Sequence, residues 1–159
     1  SWDHGGLRYL AHTDGVITEH FAAFNSATPD MMALDIERMQ TAAASGAIMI
    51  FKGWPGFTWL DSEMMERSNA ELAALATDAI TFPLAAFLIV AEEHSYFNYT
   101  WGYQSQHGAL DWHPEFDKPL GAPRGAAVRD GWTYTRQFEH ASVFIDLETK
   151  SATIDWMQP

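Results

Sequence analysis

The chain has 159 residues, of which 47% are apolar and 19% are charged, values typical of one folded domain rather than of a disordered chain. Its 21 acidic residues against nine lysines and arginines give a formal net charge of −12, so binding to nucleic acid or to an anionic membrane is not expected. Cysteine is absent, which excludes disulfides and thiolate chemistry and fits a reducing compartment, although the localisation stays open.

The first part of the chain is predicted to alternate between strands and helices. "GVITEHF" at residues 15–21 has the apolar character of a buried strand. Thr28 as N-cap and Pro29 in the first turn then predict a helix to about residue 45. "AIMIFK" at residues 47–52 is apolar on both faces, which is typical of a parallel strand covered on both sides.

Two further helices and a third strand are predicted after this. One helix opens at Ser62 and runs to about residue 76, and a second, buried helix restarts after Pro83. "SYFNYTWGY" at residues 95–103 has the aromatic content of a strand. Strand–helix–strand–helix–helix–strand order favours right-handed crossovers and a parallel sheet.

The C-terminal third differs in character. Residues 104–131 are rich in Pro, Gly and Asp and are predicted to form a long strap loop. Trp112, Phe116 and Leu120 make this strap too apolar for a free linker, so we expect it to pack on the fold. Residues 132–159 alternate and are predicted to form an antiparallel hairpin or a three-stranded meander.

The ends of the predicted strands carry the candidate functional groups. Parallel α/β proteins bind ligands beyond the carboxyl ends of their strands. A carboxylate, an imidazole, a cation and several aromatic rings stand at these ends, and such a mixture suits a polyhydroxylated ligand. The residues are Glu19, His20, Lys52, Trp54, Tyr99 and Trp101. Glu19 can equally be read as a strand-end residue that faces water or a salt bridge.

Strand alternation sets the direction of the Glu19 side chain. Ile17, Glu19 and Phe21 are expected to share one face of the first strand, with Thr18 on the other. A carboxylate placed under a helix without a partner would cost several kcal/mol, on the order of the penalty for burying an unpaired charge. The face that carries Glu19 is therefore predicted to point away from the helices.

No metal site or cofactor is predicted. The seven histidines include no H-x-x-x-H pair, and neither a G-x-G-x-x-G motif, a Walker loop nor a G-x-S-x-G motif occurs. "EEH" at residues 92–94 is interpreted as the polar end of the buried helix.

Several stretches resemble the glycoside-hydrolase-like (β/α)₈ barrels, a family of predicted glycosidases. "DGVITEHF", "AIMIFKGWPG" and "FPLAAFLIVAEEHSYFNY" are similar to the late strands and helices of such barrels. "EFDKPLGAP" and "YTRQFEHASVFIDL" resemble their closing segment, in which Y-x-R-x-F-E precedes a terminal hairpin, with Gln137 where the family more often has Glu.

The resemblance implies a fold for the whole chain. It implies an α/β protein of the (β/α)₈ TIM-barrel type, seen as a partial barrel of the last strands and helices with a C-terminal antiparallel β-hairpin. Residues 1–159 would form a single domain, with βα units at 1–103, the strap at 104–131 and the hairpin at 132–159. A complete barrel needs about 250 residues, so the chain is expected either to self-associate or to pair with a missing N-terminal half through its open strand edges.

The resemblance also implies a function. The protein would be a glycoside hydrolase that acts on an oligo- or polysaccharide through paired carboxylates. Glu19 would be one of them, as general acid or nucleophile, with no residue identified as its partner. His20 and Lys52 would be hydrogen-bonding neighbours, and the subsite walls would be Trp54, Tyr99 and Trp101.

Two other hypotheses are compatible with the sequence. One is a non-catalytic carbohydrate-binding or structural relative that keeps the aromatic cleft but lacks a second carboxylate. The other is a self-contained α/β domain with an unrelated ligand, which predicts that the 159 residues fold alone as a stable monomer.

Overall fold

A computed structural model describes residues 5–157 of the chain. Three strands form a parallel sheet in the order β1-β2-β3. They are β1 (Gly15–Thr18), β2 (Ile48–Gly53) and β3 (Ser95–Tyr99). One short helix precedes β1, one helix connects β1 to β2, and two connect β2 to β3. These helices are α1 (Gly5–Tyr9), α2 (Pro29–Ala44), α3 (Asn69–Ala79) and α4 (Thr81–Val90).

Four more strands form a separate antiparallel meander after β3. They are β4 (Val128–Asp130), β5 (Thr133–Gln137), β6 (Ala141–Asp146) and β7 (Ser151–Trp156). Three short 3₁₀ helices lie in the connecting loops, at Met64–Glu66, Ser105–His107 and Pro114–Asp117.

The prediction of a partial (β/α)₈ barrel is wrong. Within the described residues β1 and β3 each pair with β2 alone, so the parallel sheet is open at both edges. A barrel requires every strand to have two neighbours with a common stagger. The predicted strand–helix order is present, but an open three-stranded sheet satisfies it. The antiparallel sheet is also larger than predicted. Val128–Asp130, which was assigned to the strap from the sequence, forms a fourth antiparallel strand.

The helix boundaries follow local capping chemistry. Thr28 caps α2 as predicted, since its hydroxyl accepts from the backbone nitrogen of Met31 at 3.3 Å. The next helix begins later than predicted, because Ser68 and Glu71 form a reciprocal capping box in which the Glu71 carboxylate accepts from the Ser68 backbone nitrogen at 2.9 Å. The true start signal of α3 is therefore this S-x-x-E and not Ser62.

Helix α4 joins the two sheets into one core. Residues from Pro83 to Val90 are all buried, and α4 contacts β2 as well as β5, β6 and β7. The helix starts at Thr81, two residues before Pro83, because a proline in the first turn gives up no helical hydrogen bond. In the described part of the chain no single helix is long and apolar enough to cross a membrane, although α3 and α4 taken together, bent by 49°, pass that test of length and composition.

The Arg136 side chain links the antiparallel sheet to the C-terminal end of α4 by hydrogen bonds. Its buried guanidinium donates to the carbonyl oxygens of Leu88 at 3.1 Å and Ala91 at 2.7 Å, which are among the carbonyls left free at a helix C-terminus. It also pairs with the Glu92 carboxylate at 2.8 Å. The arginine of the Y-x-R-x-F-E stretch therefore has a structural role in this fold.

The strap packs against the fold through part of its apolar content. His113 is buried, and its Nδ1 lies 3.1 Å from the Thr77 hydroxyl of α3. Phe116 meets Phe97 of β3 edge to face at a centroid distance of 6.1 Å. Trp112, expected to be an anchor, is instead 70% exposed.

One face of the parallel sheet is covered and the other is open. Val16 and Thr18 turn toward α2 and line a small cavity there. On the opposite face Ile17, Ile50 and Tyr96 are in register on adjacent strands and remain 48%, 36% and 56% exposed. The alternation predicted for Ile17 and Thr18 is thus present.

Phe21 departs from that alternation. The chain leaves the strand after Thr18, and the Phe21 ring turns into the core, 5.4 Å from the ring of Phe51. Strand periodicity does not extend beyond the residues that are paired in the sheet.

Candidate functional site

The open sheet face ends in a row of polar residues. Lys52 pairs in register with Asn98. These two residues lie two positions further along β2 and β3 than Ile50 and Tyr96, on the same face as the apolar row of Ile17, Ile50 and Tyr96. Glu19 follows β1 directly and continues the same row on the other side of Lys52. The carboxyl ends of the three parallel strands therefore bring a carboxylate, an ammonium group and an amide to one rim.

Lys52 is a buried ammonium group whose three hydrogens all have acceptors. Its side chain is 1% exposed, and Nζ donates to the carbonyl oxygens of Thr100 and Gly102, each at 3.3 Å. Nζ also donates to the Thr100 hydroxyl. Because these acceptors belong to the loop that follows β3, Lys52 ties the end of β2 to that loop.

Aromatic faces complete the surroundings of Lys52. Nζ lies 3.9 Å from the centre of the Trp54 ring and 5.3 Å from that of Tyr103, within the range of cation–π attraction. Burial lowers the pKa of Lys52 to about 8, and the nearby Glu19 carboxylate partly opposes this decrease. The side chain thus remains mostly protonated at neutral pH.

Glu19 is held by Trp54 and Tyr103. The indole nitrogen of Trp54 donates to the Glu19 backbone carbonyl, and the Tyr103 hydroxyl donates to Glu19 Oε1 at 3.4 Å. Burial raises the pKa of Tyr103, and the charge and hydrogen bonding of the Glu19 carboxylate raise it further. The Tyr103 phenol therefore stays a proton donor to Glu19 at neutral pH.

A cleft lies beside this group. Trp54 forms part of a cavity of about 450 Å³ that is also lined by Phe21, Phe82 and Lys150. Ala22, in the loop after β1, lines it too and has a φ of 58°, a left-handed conformation that is uncommon outside glycine. Such backbone conformations concentrate at functional sites.

The structure brings together three of the six residues predicted from the sequence. Glu19, Lys52 and Trp54 are in the group. His20 is exposed beside it and its ring lies 4.9 Å from that of Phe24.

The other two predicted residues lie in the core. Tyr99 is buried, and its hydroxyl donates to the carbonyl oxygen of Ala76 in α3 at 2.7 Å. Trp101 is also buried and packs on Phe57 at a centroid distance of 5.9 Å. Their side chains are therefore placed away from the open rim.

Tyr103 and Thr100 complete the group but were not selected from the sequence. The predicted third strand ran to residue 103, whereas β3 ends at Tyr99 and the chain turns at once. Gly102 was the available signal, since a glycine directly after an aromatic strand often marks a tight approach of the backbone.

Within residues 5–157, no group of three or more His, Asp and Glu side chains is arranged to hold a metal ion. The groups collected at the rim are a carboxylate, a protonated amine, a phenol and an indole. The Glu19 carboxylate and the Tyr103 phenol can orient hydroxyl groups, and the exposed Tyr103 ring can stack on the C–H face of a sugar. The carboxylate can also lie beside a bond to be broken.

The chain belongs to hypothetical glycosyl hydrolase family 15, whose sequence model matches residues 2–142. This confirms the resemblance to glycoside-hydrolase-like proteins. The matched region contains Glu19, Lys52, Tyr103 and Arg136 and ends within β6. The comparison with curated proteins gave no match.

Proposed function

We propose that the protein hydrolyses glycosidic bonds of an oligo- or polysaccharide and that Glu19 is a catalytic carboxylate. Membership of a glycosyl hydrolase family supports the reaction class. The observation that carries the choice of residue is the position of Glu19 at the open rim, hydrogen-bonded to Tyr103 and close to the buried Lys52 ammonium.

Of the two roles considered for Glu19, the surroundings favour the nucleophile. The Tyr103 hydroxyl donates to the Glu19 carboxylate and the Lys52 ammonium group lies nearby, an arrangement that suits a carboxylate that attacks rather than an acid that gives up a proton. As the nucleophile, Glu19 forms a bond to the anomeric carbon while the bond to the leaving oxygen breaks and a second carboxyl group protonates that oxygen. Water then hydrolyses the glycosyl ester with the second carboxylate as base, which returns both groups to their starting states.

Lys52 and Trp54 have different tasks in this proposal. The Lys52 hydrogens are already donated to Thr100 and Gly102, so this residue positions the loop rather than binding sugar hydroxyls. Trp54 fixes the Glu19 backbone through its indole nitrogen and lines the adjacent cleft. His20, exposed beside them, is available to hydrogen-bond a sugar hydroxyl.

A second candidate function is a non-catalytic carbohydrate-binding protein of the same family. In the described residues the hydrogen bonds of Glu19 are made to Trp54 and Tyr103, and neither supplies a second carboxyl group. A cleft with a single carboxylate and aromatic walls binds sugars without cleaving them.

The test is the substitution Glu19→Gln, which keeps the shape of the side chain but cannot ionise. Hydrolysis of hexasaccharides with different sugars and linkages is measured with the wild type, Glu19→Gln and the control Glu93→Gln, an exposed carboxylate just before β3. We expect Glu19→Gln to lower kcat about 100-fold or more, with a change in stability within about 1 kcal/mol. Unchanged turnover would remove Glu19 from the mechanism, and binding without any cleavage by the wild type would favour the second candidate.

A further inference from the structure

Trp59 is an exposed indole with a supporting ring beneath it. The side chain is 42% exposed, and its ring stacks on that of His107 at a centroid distance of 6.2 Å and an interplanar angle of 14°. The nearly parallel rings present a flat aromatic surface. We infer that Trp59 is a second sugar subsite, which binds the C–H face of a pyranose ring one or more units away from the bond at Glu19, and this inference rests on the proposed function.

Backbone hydrogen bonds hold the stack in place. The backbone nitrogen of Trp59 donates to the Trp101 carbonyl oxygen at 2.7 Å, and the backbone nitrogen of Trp101 donates to the His107 carbonyl oxygen at 3.1 Å. The loop that follows β2 and the loop that follows β3 are therefore joined at the residues that carry the two rings. Because this surface is already ordered in the folded protein, binding of a ligand to Trp59 costs little further conformational entropy.

Gly102 allows the His107 ring to lie close to the backbone. A Cβ atom built on Gly102 would stand 2.3 Å from His107 Nδ1, far inside van der Waals contact. The imidazole is thus packed on the backbone of Gly102 while it stacks with Trp59. This close packing restricts rotation of the His107 ring when a ligand stacks on Trp59.

The platform is continuous with the Glu19 group through three consecutive residues. Trp101 bonds to the Trp59 backbone, Gly102 accepts from Lys52, and Tyr103 donates to Glu19. One short segment therefore positions both the proposed nucleophile and the exposed indole. A substrate that uses both must contain at least two sugar units, so the inferred substrate is an oligosaccharide and not a simple glycoside.

Trp59 differs in this respect from two of the three aromatic residues predicted as subsite walls. Tyr99 and Trp101 are buried and offer no face to a ligand. The platform side chain comes instead from the loop after β2, five residues beyond Trp54.

The experiment compares a long and a short substrate. Trp59→Ala is assayed on the hexasaccharide that the wild type cleaves and on the p-nitrophenyl monoglycoside of the same sugar. The expected result is a rise in KM for the hexasaccharide of about tenfold, equivalent to about 1.4 kcal/mol, with kcat within about twofold and kcat/KM for the monoglycoside unchanged. Isothermal titration of the same hexasaccharide into Glu19→Gln and into Glu19→Gln with Trp59→Ala measures the same loss without turnover.

The control is Trp112→Ala, which removes another exposed indole, one that bonds to Asp117 within the strap. It is expected to leave both substrates unaffected. His107→Ala, which keeps the indole but removes its support, is expected to raise the hexasaccharide KM about threefold, a smaller loss than that of the indole itself.

An equal effect of Trp59→Ala on the long and short substrates, no effect on either, or the same effect from Trp112→Ala would overturn the inference. Absence of hexasaccharide binding in the titration would overturn it as well. These outcomes are separate from failure of the proposed function, which shows as undiminished turnover in Glu19→Gln, or as binding without cleavage by the wild type, whatever residue stands at position 59.

Discussion

Lys52 Nζ lies 3.9 Å from the centre of the Trp54 ring, and the nitrogen of that same indole donates to the backbone carbonyl of Glu19. The Trp54 indole thus contacts both the buried Lys52 ammonium group on β2 and the backbone of Glu19, the proposed nucleophile, just after β1. Lys52 also binds the loop after β3, so its side chain links the segments that follow β2 and β3, and Trp54 extends this link to Glu19.

Replacement of Lys52 by Met tests this connecting role. The change removes the donor to the carbonyl and hydroxyl oxygens of Thr100, while the Gly102 carbonyl keeps the bond from the Thr100 hydroxyl. It also removes the cost of burying a charge. The expected net effect is a loss of about 1–3 kcal/mol in the free energy of unfolding, measured by urea titration. Lys118→Met, at an exposed position in the strap, should change stability by less than about 0.5 kcal/mol. Greater stability of Lys52→Met would mean that the burial cost outweighs the hydrogen bonds.

The lowered pKa of Lys52 predicts a specific dependence of stability on pH. Between the folded pKa of about 8 and the unfolded value of 10.5, the unfolded chain binds more protons, so unfolding becomes less favourable as the pH rises through this range. The cost of burying the charge is fully present below pH 8. The stability of the wild type relative to Lys52→Met should therefore increase by up to about 3 kcal/mol between about pH 8 and 10.5, as shown by denaturant unfolding at several pH values. A constant difference would show that the Lys52 pKa is the same in both states.

Local patterns in the sequence predicted the elements better than their assembly. Apolar runs and the cap at Thr28 gave the parallel strands and α2, and the rule that ligands bind at the carboxyl ends of parallel strands selected Glu19, Lys52 and Trp54, which the structure brings together. Closure of a sheet depends instead on pairing between distant strands, which periodicity does not report, and this is why the barrel was predicted wrongly.

The aromatic residues of the site show a second limit of sequence reasoning. Tyr99, Trp101 and Tyr103 alternate in the sequence and would share one face of a continuous strand. Because β3 ends at Tyr99 and the chain turns, Tyr99 faces α3, Trp101 enters the core and Tyr103 reaches Glu19. A strand end misplaced by four residues was enough to misdirect the choice of subsite residues.

Arg136→Ala should be among the most destabilising single changes in the antiparallel sheet. It removes the donor for the last carbonyl oxygens of α4 and the partner of Glu92. We expect a loss of about 2–4 kcal/mol, measured by thermal or urea unfolding. Arg129→Ala serves as the control, because Arg129 is exposed on β4 and should contribute less than about 0.5 kcal/mol. Equal effects of the two substitutions would show that the bonds at the end of α4 contribute little.

His113 is expected to make the packing of the strap sensitive to acid. Burial lowers the pKa of His113, although the nearby Asp111 and Glu115 carboxylates partly oppose the shift. A lowered folded pKa means that the unfolded chain binds the proton first, so the contribution of His113 is intact above the unfolded value of 6.5 and decreases as the pH falls below it. Proteolysis of the strap at pH 7.5 and pH 5.5 measures this, with faster cleavage expected at the lower pH. His113→Phe keeps an aromatic ring and should lose most of the difference, whereas His12→Phe, in an exposed loop, should retain it.

The sequence-based prediction of self-association stays a prediction, and the open sheet face gives it a specific site. Ile17, Ile50 and Tyr96 form one exposed apolar row, and β1 and β3 each have a free edge in the described residues. Exposed edges and apolar faces are templates for association. Sedimentation of the wild type should therefore show a dimer that dissociates on dilution. Ile50→Lys, which places a charge at the centre of the row, should give a monomer, while Leu110→Lys, at an exposed position in the strap, should not. A wild-type monomer at all concentrations would support the alternative of a self-contained domain, and a dimer that persists in Ile50→Lys would place the contact elsewhere.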